Sequence, residues 1–168
     1  MIPAFHVEPL ADGHDRAAFS CGVEPLDHYF RQQAGQDIKR RLAACFVAVE
    51  QETHRTAGYY TLSMAGIAIG DLPPEIVRRF PRYPLMPAAR LGRLAIDTSY
   101  RGRGLGGALL WDAAKRAVRS DVAAFAVLVD ANDDGAVGFY RHHGFISLVG
   151  APRTLFLPIA KVVARLGR

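Results

Sequence analysis

The stretch that most constrains this chain is Arg101-Gly102-Arg103-Gly104-Leu105-Gly106-Gly107. Before it, residues 89–97 carry Leu91, Leu94 and Ile96 and predict a strand. After it, Leu105, Leu109, Ala113 and Ala117 recur at i, i+4, with Leu110, Ala114 and Val118 beside them, and predict a helix over 104–119. Glycines at 102, 104, 106 and 107 let the backbone bend sharply and turn its N–H groups outward, and the helix start adds the positive end of a dipole. Arg101 and Arg103 add charge and bidentate reach. Such a bend has two readings, a pyrophosphate cradle or a tight strand-to-helix turn without a ligand. No Lys-Ser/Thr pair follows the glycines, which excludes a nucleoside-triphosphate P-loop. A Rossmann spacing can be laid on Gly102, Gly104 and Gly107, but that loop belongs after a first strand and this one lies past mid-chain.

The rest of the chain supplies elements around this βα turn. Residues 123–131 are an almost unbroken apolar run, the pattern of a strand covered on both faces. A short helix at 134–142 ends at Gly144, and residues 145–149 and 153–159 predict a closing pair of strands. In the first half, Leu26, Tyr29, Phe30 and Gln33 share one face of a helix at 24–34. Strands at 44–50 and 56–69, with a polar turn at 51–55, form a hairpin. Residues 71–88 hold Pro73, Pro74, Pro81, Pro84 and Pro87, which leaves one short helix near 74–80 and otherwise loop. A loop of that length is more often functional than idle. The fold class is α/β (α+β), a mixed central sheet flanked by helices. A length of 168 residues suits a single domain spanning 1–168.

Half the residues are apolar and 22% are charged, so a core forms and wholesale disorder is excluded. The net charge of +5 favours an anionic partner. Cys21 and Cys45 fit neither a zinc pattern nor a disulfide framework and read as reduced thiols in the core of a cytoplasmic protein. The six histidines have no ligand spacing, so no metal is expected. Residues 1–8 lack a basic start followed by a long apolar run, and no apolar stretch reaches the roughly 18 residues of a membrane span, so neither a secretory signal nor membrane insertion is expected.

Arg101, Gly104 and Gly106 satisfy the pattern Arg/Gln-x-x-Gly-x-Gly/Ala, and Asn132-x-x-x-Ala136-x-x-Phe139-Tyr140-x-x-x-Gly144-Phe145 follows at a suitable separation. Together these resemble the acetyl-coenzyme A loop and the late strand–helix segment of the GCN5-related N-acetyltransferases. Phe19-Ser20-Cys21-Gly22 with Leu26-Asp27, Gly58-Tyr59-Tyr60-Thr61-Leu62-Ser63, Leu91-Gly92-Arg93-Leu94-Ala95-Ile96-Asp97 and Leu128-Val129-Asp130-Ala131 extend the likeness over most of the chain. They resemble the acetyltransferase toxins of type II toxin–antitoxin modules. That resemblance implies acetylation of the amino group of aminoacyl-tRNA, arrest of translation, a homodimer, and restraint by a ribbon-helix-helix antitoxin. Two other readings stand beside it: acetylation of a small amine, an antibiotic or a protein amino terminus, and a non-catalytic coenzyme-binding regulatory module.

The resemblance also implies site residues. Tyr140 lies beside the coenzyme sulfur as the proton donor to the departing thiolate. Leu94, Ala95 and Ile96 offer backbone groups to the pantetheine arm and the thioester. Arg101, Gly102, Arg103, Gly104, Leu105, Gly106 and Gly107 hold the pyrophosphate, with Asn132, Ala136 and Phe139 completing the coenzyme site. Asn132 has two readings, an amide on the pantetheine arm or a helix cap. Asp97 and Asp130 end strands and read equally as caps. Arg93 is unusual in an apolar strand and faces either the acceptor, a phosphate or solvent. No carboxylate is placed as a strong base. This suits an α-amino acceptor, with a pKa of about 7.7–8.0, better than a lysine amine at about 10.4. Basic residues gather at Lys39-Arg40-Arg41, at Arg78, Arg79, Arg82 and Arg90, and at Lys161, Arg165 and Arg168. The second group, together with Arg93, is the candidate tRNA surface, with Tyr83 available to stack on a base.

Overall fold

A computed structural model describes residues 4–167; Arg168 and the first three residues, which open the stretch read for a secretory signal, lie outside the described residues. The contacts gather in two compact units. One holds residues up to Ser63 together with Gly92–Ala113, and the other holds Met64–Leu91 together with the chain from Ala114. The strands hydrogen-bond in the order β1-β2-β3-β4-β5-β7-β6 as one mixed sheet, the fold class expected from the sequence.

In the first unit, β1 (Phe5–Pro9) pairs antiparallel with β2 (Ala44–Glu50), and β2 pairs antiparallel with β3 (Thr56–Ala68) through a bulge at Ala48/Val49. The hairpin is the one predicted, whereas β1 was not: Phe5-His6-Val7-Glu8 alternates apolar and polar, but the run is short and lies between Pro3 and Pro9. The predicted helix is longer than its expected 24–34. It runs as α1 (Glu24–His28), a wider π turn (Tyr29–Gln33) and α2 (Ala34–Lys39). In that turn the Ala34 N–H reaches back five residues to the Tyr29 carbonyl. Ala34, four residues after Phe30, is buried, and the wider turn carries Gln33 off that face into solvent, which departs from the expected face. Phe30 stacks on Tyr59 with centroids 4.4 Å apart, and Phe19 meets Phe30 edge-on at 4.9 Å. Cys21, Cys45, Val47 and Ala95 fill the same core.

In the second unit, β4 (Leu85–Ile96) pairs parallel with β5 (Ala126–Asp130) over Ala88–Leu91. β5 pairs antiparallel with β7 (Ala151–Pro158), and β7 with β6 (Ile146–Leu148). Val127, Leu128 and Val129 are all buried, as a strand covered on both faces requires. The proline-rich segment holds α3 (Pro74–Val77), shorter than expected, and its predicted loop ends early because β4 begins at Leu85. Met86 and Ala88 are buried while Leu85 and Pro87 are exposed, so the strand's alternation runs through the proline. Pro87 lacks an N–H, yet its carbonyl accepts from Phe125 N at 2.7 Å, which is how a strand start tolerates proline. α4 (Leu105–Arg119) and α5 (Asp134–His142) lie where periodicity placed them. A last helix, α6 (Ile159–Leu166), was not predicted, although Ile159, Val162, Val163 and Leu166 carry its spacing.

Candidate active site

The loop expected to hold the pyrophosphate lies within the first unit, up to Ala113. β4 ends at Ile96, and Asp97 fixes the turn beyond it. Its Oδ1 accepts from Ser99 N at 2.9 Å, its Oδ2 from Ser20 N at 3.0 Å, and its own N–H donates to the Ala57 carbonyl at 2.8 Å. Of the readings open for Asp97, the cap is therefore the one observed, over the turn Thr98–Tyr100. Tyr100 is buried and packs edge-on against Phe5 at 5.7 Å, with the Arg103 guanidinium 5.4 Å from its centroid. Gly102 (φ +76°) and Gly104 (φ +78°) then bend the chain in the left-handed region, where a side chain is strained. A Cβ at either position would meet nothing within 4 Å, so the space beside the loop is open. Ala108 N donates to the Gly104 carbonyl at 3.1 Å. The N–H groups of Leu105, Gly106 and Gly107, in the first turn of α4, have no acceptor within the helix. Open space, outward amides and a helix start fit a diphosphate. Leu105 is itself buried, so only its amide is available to a ligand.

Two arginines of this unit are engaged. Arg101 donates to the Cys21 carbonyl, and Arg93 lies 3.5 Å over the Tyr29 ring. Leu94 and Ile96 are half-buried and Ala95 is buried. Cys21 and Cys45 are buried core thiols, and burial pushes them up to about 11 and about 12, well away from nucleophilic thiolates.

Tyr140, the expected proton donor, lies within the second unit. Asp133, not Asn132, caps α5, accepting from Ala136 N at 2.8 Å. This removes the capping reading of Asn132, whose carbonyl accepts from Arg153 at 3.2 Å. Tyr140 sits on α5 between Phe139 and Phe145, with centroids 5.2 and 5.5 Å away. Its ring is buried, and among the described residues its hydroxyl has no hydrogen-bond partner. Burial first, and the Asp130 carboxylate second, push the phenol up to about 12. Asp130 ends β5 in an ion pair with Arg90 and accepts from Thr154 Oγ1 at 3.0 Å. That occupies both of its oxygens, removes it as a free base, and ties down Arg90. Gly144 (φ +94°) makes the turn back to Phe145.

Arg78, Arg79, Arg82 and Tyr83 are exposed, and Arg79 lines a groove of about 400 Å³ with Phe80, Phe125 and Lys161. Among the described residues no group of three His, Cys, Asp or Glu side chains could hold a metal ion, and no helix is long and apolar enough to cross a membrane.

The first unit thus carries an open glycine turn at a helix start, and the second carries a buried phenol. The profile of the acetyltransferase (GNAT) family matches residues 14–145, and the chain belongs to that family. It is 32% identical to the "Probable toxin TacT" of Sinorhizobium fredii (strain NBRC 101917 / NGR234), over 96% of this chain and 94% of that one. It is 36% identical to the "tRNA-acetylating toxin" of Mycobacterium tuberculosis (strain ATCC 25618 / H37Rv), over 81% of each. Among solved structures, AtaT complexed with acetyl-methionyl-tRNAfMet aligns with TM-score 0.90 and 28% identity, covering 98% of this chain and 100% of that one. A tyrosine-to-phenylalanine variant of AtaT, bound to the C-terminus of the antitoxin AtaR and acetyl-CoA, aligns with TM-score 0.82 and 25% identity, covering 98% and 99%.

Proposed function

We propose that this protein is an acetyl-CoA-dependent N-acetyltransferase, a toxin that acetylates the α-amino group of aminoacyl-tRNA and so blocks translation. The observation that carries this reading is the loop at 101–107, whose outward amides and open flank suit the diphosphate of the coenzyme. The named activity and bound molecules of the relatives supply the acceptor class and the antitoxin partner. In this reading both units act as one N-acetyltransferase domain over 1–168. The enzyme works in the cytoplasm as a homodimer and is held by a ribbon-helix-helix antitoxin.

Acetyl-CoA supplies an activated acetyl thioester. Gly102, Arg103, Gly104, Leu105, Gly106 and Gly107 bind its diphosphate through main-chain N–H groups. Leu94, Ala95 and Ile96 orient the pantetheine arm through their backbone, with Asn132, Ala136 and Phe139 beside it. Tyr140 holds a proton at Oη and donates it as a hydrogen bond to the leaving sulfur. A phenol at about 12 facing a thiolate at about 8.5 leaves roughly 5 kcal/mol against complete transfer, so the proton gained by sulfur is balanced by the one the attacking amine gives up, with Oη as relay. Arg78, Arg79 and Arg82, with Tyr83 for stacking, hold the nucleic acid, whereas Arg90 is paired with Asp130 and Arg93 lies over the Tyr29 ring.

The test is transfer of labelled acetyl from acetyl-CoA to a panel of charged tRNAs, free amino acids, small amines and peptide amino termini. Label on charged tRNA, released as N-acetyl amino acid on mild base hydrolysis, is the expected outcome. Label confined to small amines or peptides sinks the tRNA reading and leaves the acetyltransferase intact.

A further inference from the structure

The segment Phe19–Gly22 is a strap fastened by four charged side chains. Arg31 Nη2 donates to the Phe19 carbonyl at 2.9 Å. Asp97 Oδ2 accepts from Ser20 N at 3.0 Å, while the Ser20 carbonyl accepts from Thr98 N at 2.9 Å. Asp27 Oδ1 accepts from Cys21 N at 2.9 Å, and the Cys21 carbonyl accepts from Arg101. Every main-chain N–H and carbonyl of Ser20 and Cys21 is thereby taken. Asp27 and Asp97 are each 3% exposed, a costly placement that these bonds offset. Gly22 completes the joint. Its φ is +85°, and a Cβ there would stand 3.2 Å from Arg101 Nη2.

Arg101 and Asp97 bracket the turn that leads into the phosphate loop. We infer that Arg101 is a positioning residue: its guanidinium anchors the start of the loop to the Cys21 carbonyl, and it serves the coenzyme through the loop's amides, not by placing its charge on the diphosphate. This rests on the acetyl-CoA reading above. The Phe19-Ser20-Cys21-Gly22 motif and Asp27 thereby gain a shared role as the fixed end of that anchor.

The test compares wild type, Arg101→Ala, Gly22→Ala and the double variant in the full chain. Acetyl-CoA affinity is measured by calorimetry at two salt concentrations. Gly22→Ala changes no charge but pushes on the guanidinium. Each single variant is expected to bind about tenfold more weakly, with the salt dependence of wild type, and the double no worse than about twofold beyond the weaker single. Wild-type affinity in Gly22→Ala, beside a tenfold loss and a flatter salt dependence in Arg101→Ala, overturns the inference. Should Gly22→Ala fail to fold, amide exchange of ligand-free Arg101→Ala decides. Exchange about tenfold faster at Thr98, Tyr100 and Ala108 supports anchoring, and wild-type rates overturn it. Wild type that takes up no acetyl-CoA removes the coenzyme reading itself, a result distinct from either.

Discussion

At neutral pH the Tyr140 hydroxyl keeps its proton, because burial and the Asp130 carboxylate both oppose the phenolate. Tyr140→Phe should keep the fold, by circular dichroism, and the affinity for acetyl-CoA, while lowering kcat by about 10²-fold, or roughly 2.7 kcal/mol in the barrier. The pH profile carries a second expectation. Because the phenol's pKa is raised and the protonated form is the active one, activity that depends on Tyr140 is lost only as pH climbs toward about 12. A plot of kcat/KM should therefore rise as the acceptor amine deprotonates near pH 8 and stay flat to about pH 10. A descending limb between pH 8 and 9 removes Tyr140 from this role. The motif makes this tyrosine the expected donor. Its pKa is not legible there, since Phe145, Asp130 and the burial of the ring come together only in the folded chain. The same holds for the cap of α5, where Asn132 and Asp133 look alike in sequence and only backbone geometry assigns the bond to Asp133.

Elements carry the next set of expectations. Gly102 and Gly104 meet open space, so alanine there is opposed by backbone strain alone, on the order of 1–2 kcal/mol each. Gly58 in β3 differs, with a normal φ but crowded surroundings. A Cβ there would lie 2.9 Å from Ile96 Cδ1 and Leu109 Cδ1 and 3.0 Å from the Ala95 carbonyl oxygen. Gly58→Ala should cost about 1–3 kcal/mol, read as a lower midpoint in urea, because a backbone atom of β4 cannot step aside as a side chain can. Gly104→Ala should instead show most of its effect as weaker acetyl-CoA binding. Near-identical midpoints for Gly58→Ala and wild type defeat the packing argument. α4 is read from its hydrophobic period, the β2–β3 hairpin from two apolar runs around a polar turn, and α5 from its stop at Gly144. The start of β4 was missed because proline is weighed as a breaker, whereas here it occupies a strand start. The π turn was missed because a single inserted residue leaves no trace in composition.

For the whole molecule the governing quantity is charge. The excess of +5 is spread over several groups, and the partners of the basic side chains sort them. Arg90 is held by Asp130, Arg93 by the Tyr29 ring and Arg101 by the Cys21 carbonyl, while Arg78, Arg79 and Arg82 project from an exposed segment. Reversal of these last three to glutamate should raise KM for aminoacyl-tRNA about tenfold or more, flatten its salt dependence, and leave acetyl-CoA affinity unchanged. Unaltered acetylation of charged tRNA by the triple variant counts against that surface. The sequence by itself determined the βα turn at 101–107 and the order of the main elements, because glycine spacing and hydrophobic period act over neighbours a few residues apart. Only the tertiary structure decided which charges are free and which are spent. Arg101 meets Cys21 across 80 residues and Arg90 meets Asp130 across 40, and no local rule encodes partners brought together by folding over such distances.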